Sequence, residues 1–168
     1  LDDIAQGEGL PTSKSVGALA DGLRALSSAY NAEGEGPVES TGDAEMAARL
    51  HFSFVRDVPK GSAAVRELVG TVARRNSDAL EILDLGAGLG AMSFGVVRAL
   101  RHAGFSGEAR VHLVDHDARS LRMAEKILQG EQGVASRVTL KKVPFTPRDE
   151  SDLILLGQVL SELDRAVP

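Results

Sequence analysis

One run of the chain combines an apolar strand, a glycine-rich turn and the start of a helix. Residues 81–85 read Glu-Ile-Leu-Asp-Leu, and Gly86, Gly88 and Gly90 follow at alternate positions. Glycines in such a turn remove the Cβ atoms that would block a tight bend or keep a ligand away from the main chain. We expect the backbone N–H groups of the turn to face a bound molecule. The run therefore predicts a site for a nucleotide-like ligand.

The motif Gly-Ala-Gly-Leu-Gly-Ala at residues 86–91 fits two ligand classes. It satisfies the dinucleotide pattern G-x-G-x-x-G/A and also the shorter form G-x-G-x-G. Asp84 favours the second form, because a carboxylate beside a pyrophosphate would add negative charge where two phosphates must lie. The same carboxylate suits a cationic amino-acid tail. A turn that binds no ligand is the third interpretation.

Residues 83–90, Leu-Asp-Leu-Gly-Ala-Gly-Leu-Gly, resemble the first motif of the S-adenosylmethionine-dependent methyltransferases. In that family the acid and the glycines line the methionine moiety of the cofactor. The resemblance implies S-adenosylmethionine as cofactor. The binding residues that it implies are Asp84, Gly86, Ala87, Gly88 and Gly90.

A second strand and helix follow the turn. Residues 110–115 alternate and end in Asp115, and residues 117–129 have apolar side chains at helical spacing. An acid at the end of this strand can accept hydrogen bonds from the two hydroxyls of a ribose, so Asp115 is a candidate binding residue and its neighbour His116 is another. The alternative is that Asp115 or Asp117 only caps the helix, a role that Asp117 fits better.

Two further strands are predicted at residues 136–143 and 152–156. Alternating strands and helices predict an α/β fold with a Rossmann-like, doubly wound parallel sheet, in which ligands bind where the strand order reverses. Gln158, just after the fourth strand, would lie at that edge and could contact the cofactor or orient an acceptor. Because class I methyltransferase sheets have more strands than four, we expect a sheet truncated after strand 4.

The part of the chain before the sheet has a helical pattern. Apolar residues recur at helical intervals in residues 15–30 and 43–58, and residues 31–42 form a glycine-rich loop. Pro59 is expected to end the second helix and to open a third that runs to Arg74. The predicted domains are a helical N-terminal extension, 1–78, and a Rossmann-like cofactor domain, 79–168.

Composition excludes several kinds of site. The 168 residues contain no cysteine, which rules out disulfides, a thiolate nucleophile and cysteine-ligated metals within them. The four histidines share no metal-ligand spacing, so no metal site is expected. No apolar run reaches membrane-spanning length and no basic-then-apolar leader begins the chain, so we expect no membrane association and a cytoplasmic location.

Three segments, residues 44–60, 84–90 and 152–163, together are similar to the Rsm22 family of ribosomal small-subunit-associated, methyltransferase-like proteins. The resemblance implies the small ribosomal subunit or its rRNA as partner. Members often carry a cysteine cluster in the C-terminal half, and these residues have none. Three alternatives stay open: a non-catalytic assembly factor that binds the cofactor, a methyltransferase with a small-molecule acceptor, and an NAD-binding oxidoreductase.

Charge gives little support to independent RNA binding. The chain has a net charge of −5, whereas RNA binders concentrate basic residues to neutralise phosphates. Catalytic residues are not assigned, because the region of the fourth strand lacks the Asn/Asp-Pro-Pro-aromatic signature of amino-methylating enzymes. In-line alignment of donor and acceptor can suffice for methyl transfer.

Overall fold

Helices occupy the first part of the chain, and strands alternate with helices from Ala79 onward. A computed structural model describes residues 1–31, 42–73, 78–140 and 151–157. Within these ranges the helices are α1 (Asp2–Gly7), α2 (Val16–Asn31), α3 (Asp43–Ala48), a π-helical segment (Arg49–Phe54), α4 (Val55–Ala64), α5 (Arg66–Ala73), α6 (Ala91–His102) and α7 (Ala118–Gln129). The strands are β1 (Ala79–Leu85), β2 (Glu108–Asp115), β3 (Val134–Leu140) and β4 (Leu153–Leu156).

The four strands form one parallel sheet in the order β3-β2-β1-β4. The chain adds β2 and β3 on one side of β1 and then returns to add β4 on the other side, so the strand order reverses between β1 and β4. This is the Rossmann-like α/β arrangement that the sequence predicts. Leu85, at the end of β1, is in register with Val114 of β2 and Leu156 of β4, which brings the carboxyl ends of three strands together.

A hydrophobic core lies between the sheet and the helices that follow β1 and β2. Side chains alternate across a strand, so every second residue of β1 and β2 faces this core. Its buried members from the two strands and from α6 and α7 are Leu80, Ile82, Ala109, Val111, Leu113, Val96, Val97, Leu100, Leu121, Ala124 and Leu128. Because both helices pack against the sheet, the start of α6, which directly follows the glycine-rich loop, is held close to the sheet.

Helix α4 approaches α6 closely. A Cβ atom on Gly95 of α6 would lie 2.1 Å from the carbonyl oxygen of Val58, and the Ser62 hydroxyl donates a hydrogen bond of 2.8 Å to the Gly95 carbonyl. These contacts place α4 beside α6. The chain divides into two compact units, Leu1–Arg56 and Asp57–Pro168.

The prediction that Pro59 ends one helix and opens another is wrong. Pro59 lies inside α4, and the break comes later, at Val65, before α5 begins at Arg66. A proline inside a helix removes one backbone hydrogen bond. Gly61, inside α4, is buried, and packing of this helical face outweighs the local preference of one residue.

The first unit contains a short helix that the sequence pattern did not reveal. Asp2, in α1, accepts hydrogen bonds from the Ser13 amide (2.8 Å) and from the Ser13 hydroxyl (2.7 Å), and these bonds lower the pKa of Asp2. They close the segment between the two residues into a loop. Helix α2 agrees with the predicted helix at residues 15–30.

Several predicted features lie outside the described residues. They are most of the loop at 31–42, the last part of the third strand at 141–143, the end of the third helix at Arg74, and Gln158. In the described part of the chain, no helix has both the length and the apolar character that crossing a membrane requires.

Candidate functional site

The glycine-rich loop between β1 and α6 is built on three left-handed residues. Gly86, Gly88 and Gly90 have φ values of +69°, +51° and +75°, a conformation that side chains disfavour. Gly90 also needs its small size, since a Cβ atom there would lie 3.3 Å from the Cβ of Ala124 in α7. A Cβ atom on Gly88 would meet nothing within 4 Å. The loop therefore packs against α7 at Gly90 and borders open space at Gly88.

The backbone N–H groups of this loop are mostly paired within the protein. The amides of Gly86 and Ala87 donate to the Val114 carbonyl at 2.9 and 3.1 Å, and the Gly88 amide donates to Asp115 Oδ2 at 2.7 Å. The Gly90 amide donates to the Ala87 carbonyl at 2.7 Å. The expectation that the loop amides face a ligand is therefore wrong at these four positions, because the end of β2 lies close enough to accept three of them.

Asp84 lies beneath the loop and is only 1% exposed. Its Oδ2 accepts a hydrogen bond of 2.7 Å from the Ser93 hydroxyl. None of the described residues donates to Oδ1, which is buried. Burial raises the pKa of Asp84 to about 6, since the hydrogen bond from Ser93 only partly offsets the loss of hydration and the nearby charge of Asp115 adds to the rise.

Ser93 is a site residue that the sequence reasoning missed. It is fully buried in the first turn of α6, on the same face as Val96, Val97 and Leu100. A signal was present, because a hydroxyl on the apolar face of an amphipathic helix needs a partner. That partner is Asp84, and the pair fixes the start of α6 against the end of β1.

Asp115 ends β2 and is 8% exposed. In addition to the Gly88 amide, it accepts a hydrogen bond of 2.9 Å from the Asp117 amide at Oδ1. His116 Nδ1 lies 3.2 Å from the same oxygen, and no described residue pairs with the buried His116 Nε2. One carboxylate thus contacts both the β1–α6 loop and the loop that leads to α7.

Asp117 is the helix cap that the sequence predicts. Its Oδ1 accepts hydrogen bonds from the amides of Arg119 (2.9 Å) and Ser120 (3.2 Å), the first donors of α7. Its Oδ2 accepts a further bond of 2.7 Å from the Ser120 hydroxyl. Because Asp117 supplies the cap, the carboxylate of Asp115 contacts the Gly88 amide instead.

The end of β4 also reaches the start of α6. A Cβ atom on Gly157 would lie 2.6 Å from Met92 Cγ, so Met92 contacts the backbone where β4 ends. Met92 is a second residue that the sequence reasoning missed, and no sequence signal marks it. The structure thus brings together Asp84, the three glycines, Asp115 and His116, whereas Gln158 lies outside the described residues.

A separate open pocket of about 250 Å³ lies in the middle of the sheet face. Its lining residues are Glu81, Arg110, Val111, His112, Ala135, Ser136 and Arg137. Arg110 bonds to Glu108 at 2.6 Å and to Glu81 at 3.2 Å, and these bonds raise the pKa of Arg110. The pocket lies at mid-strand, so it is distinct from the loop at the carboxyl ends.

Comparison with solved structures gives several matches, among them one of limited similarity. No family model matches the chain, and no curated protein matches it. The crystal structure of the trans-methyltransferase CalH in complex with SAH aligns with a TM-score of 0.40 and 21% sequence identity. The alignment covers 57% of this chain and 29% of that chain, so the aligned part spans less than a third of the length of CalH.

Proposed function

We propose that the glycine-rich loop, Asp84 and Asp115 bind S-adenosylmethionine, and that the chain is the cofactor-binding part of a methyltransferase or methyltransferase-like protein. The observation that carries this function is the buried carboxylate of Asp84. It lies beneath a loop that borders open space at Gly88, and no described residue donates to its Oδ1. A buried acceptor without a donor is costly, and a cationic ligand would compensate it.

The residues fit the parts of this cofactor. Gly88 leaves room beside the main chain, Asp115 ends β2, where an acid can accept ribose hydroxyls, and His116 is a candidate because it follows Asp115 in the chain. Asp84 favours the α-ammonium group of the methionyl end. When bound, S-adenosylmethionine supplies an electrophilic methyl group. The protein's task is then to orient the cofactor and the acceptor in line.

A dinucleotide is a poorer fit to the same loop. A pyrophosphate needs outward-facing amides, and the amides of Gly86, Ala87, Gly88 and Gly90 already have partners in the protein. The carboxylates of Asp84 and Asp115 would also repel it. An oxidoreductase that uses NAD is therefore the weaker alternative.

Calorimetry on the full-length protein tests the site. We expect S-adenosylmethionine and its product S-adenosylhomocysteine to bind the wild type, and binding to be lost in Asp84→Ala and in Gly88→Val. Arg98→Ala, at an exposed position on α6, is the matched control and should bind as the wild type does. NADH should give no fluorescence change. Unchanged binding in both site variants would refute the site.

We further propose the small ribosomal subunit as the partner, on the strength of the resemblance in residues 44–60, 84–90 and 152–163. Co-sedimentation of the full-length protein with purified small subunits tests this association. Since the net charge of this chain is −5, the association should depend weakly on salt. Absence of co-sedimentation would favour a small-molecule acceptor.

Deletion of the gene separates the enzyme from an assembly factor. Loss of one methylated rRNA position, restored by the wild-type gene and not by Asp84→Ala, indicates a methyltransferase that acts on rRNA. Unchanged rRNA methylation, with a defect in subunit assembly, indicates a factor that binds the cofactor without transferring the methyl group.

A further inference from the structure

The carboxylate of Asp115 connects two loops. Its Oδ2 accepts the Gly88 amide at 2.7 Å, and its Oδ1 accepts the Asp117 amide at 2.9 Å. His116 Nδ1 lies 3.2 Å from Oδ1. With only 8% of the residue exposed, these bonds are largely shielded from water. The loop before α6 and the loop before α7 are therefore fastened to one side chain.

Gly88 differs from its neighbours in how it is held. The amides of Gly86 and Ala87 donate to the backbone carbonyl of Val114, an acceptor that every residue type would supply. The Gly88 amide donates instead to a side chain, so its partner depends on which residue occupies position 115. Gly88 is left-handed, with φ of +51°, and a Cβ atom on it would meet nothing within 4 Å. The bond to Asp115 turns the amide away from that open space.

We propose that Asp115 is a positioning residue for the glycine-rich loop: its carboxylate holds the Gly88 amide and so keeps clear the space that the ligand occupies. This role is additional to the ribose contact and rests on the proposed function only for its ligand. An ionised carboxylate offers about four acceptor positions, of which the Gly88 amide, the Asp117 amide and His116 use three. A ribose diol that donates two hydrogen bonds must therefore share the carboxylate with Gly88.

Amide hydrogen exchange of the full-length protein without ligand tests the positioning role. In Asp115→Ala the Gly88 amide loses its acceptor, and we expect it to exchange at least about tenfold faster than in the wild type. In Asp115→Asn the single carbonyl oxygen can accept either the Gly88 amide or the Asp117 amide but not both, so Gly88 exchange should lie between the wild-type and Asp115→Ala rates. The amides of Gly86 and Ala87 should change little, because their acceptor is the Val114 backbone.

Asp117→Ala is the matched control. It removes the cap of α7 in the same loop and leaves the bond between Gly88 and Asp115 in place, so Gly88 exchange should match the wild type. If Asp115→Ala does not fold, Asp115→Ser serves instead, because its hydroxyl is too short to reach the Gly88 amide. Equal exchange rates at Gly88 in the wild type, in Asp115→Asn and in Asp115→Ala (or Asp115→Ser) would overturn the role.

A ligand without the ribose hydroxyls separates positioning from direct contact. If Asp115 acted only on the ribose, the 2′,3′-dideoxy analogue of S-adenosylhomocysteine would bind wild type, Asp115→Asn and Asp115→Ala equally. We expect it to bind Asp115→Ala at least about tenfold more weakly than the wild type, with the affinity of Asp115→Asn between the two. Equal affinities for all three proteins would contradict the positioning role.

The two measurements also separate this role from the proposed function. If wild type binds neither S-adenosylhomocysteine nor its analogue, the cofactor assignment fails, and the exchange rate of Gly88 still decides whether Asp115 holds the loop. If the ligand binds and Gly88 exchange does not respond to position 115, the cofactor site stands and the positioning role fails.

Discussion

Ser93 and Asp84 are joined by a buried hydrogen bond of 2.7 Å, from the serine hydroxyl to the Oδ2 oxygen of the carboxylate. The bond ties the first turn of α6 to the last part of β1, and the glycine-rich loop lies between the two residues. Both residues are almost inaccessible to water. The loop therefore begins and ends on a fixed pair, which limits the conformations that its three glycines can adopt.

Stability should depend on pH through Asp84. Its pKa is raised to about 6 in the folded protein, against 3.8 in the unfolded chain, because burial disfavours the charge. Between these two values the folded state binds the proton more tightly, so the free energy of unfolding falls as pH rises from about 4 to about 6, by about 3 kcal/mol in total. Asp84→Asn cannot ionise and lacks this loss. Urea unfolding of both proteins between pH 4 and pH 8 measures it, and a constant difference between them would contradict the assignment.

Binding of S-adenosylhomocysteine should become stronger as pH rises through about 6. The α-ammonium group of the ligand favours the ionised carboxylate, so below this pH a proton must leave Asp84 before binding. Affinity should then fall by at most about tenfold for each pH unit. Calorimetry between pH 5 and pH 8 measures the slope. In Asp84→Asn binding should be weak and nearly independent of pH, and a wild-type profile without slope would count against contact with Asp84.

Gly90→Ala should destabilise the protein more than Gly88→Ala. Both glycines are left-handed, so each substitution costs about 1–2 kcal/mol of backbone strain. At Gly90 the new methyl group also meets the Ala124 Cβ at 3.3 Å, whereas at Gly88 it meets nothing. We expect an additional loss of about 1 kcal/mol for Gly90→Ala. Chemical unfolding measures the free energy of unfolding of both variants. Equal losses would contradict this prediction and show that α7 shifts to make room for the methyl group.

Arg101→Ala should loosen the connection between α6 and β2. The guanidinium group donates to the carbonyls of Phe105 (2.8 Å), Gly107 (2.7 Å) and Gly133 (2.8 Å), and so closes the loop that follows α6. We expect a loss of about 2 kcal/mol in the free energy of unfolding. Arg98→Ala, which within the described ranges removes a contact with the Phe94 ring and no other, should cost less than about 1 kcal/mol. Similar losses in both variants would contradict the role of the three carbonyl bonds.

Local sequence patterns were sufficient for the elements of the sheet. The apolar run before Gly86 predicts β1, the alternation that ends in Asp115 predicts β2, and the apolar run at 152–156 predicts β4. Asp117 was correctly expected to cap α7. These features depend on neighbours in the chain, through side-chain periodicity and capping chemistry. The continuation of α4 through Pro59 was not predictable in this way, because it depends on the packing of the helical face that carries Gly61.

By itself, the sequence determined the succession of strands and helices from β1 onward and the identity of the acids and glycines at the loop. Only the tertiary structure decided where the amides of Gly86, Ala87 and Gly88 point, since their acceptors belong to β2, a strand distant in the chain. It also decided that Ser93 meets Asp84 and that Asp115 holds Gly88. Such contacts form when elements pack against each other, and packing depends on residues far apart in sequence, which no local pattern encodes.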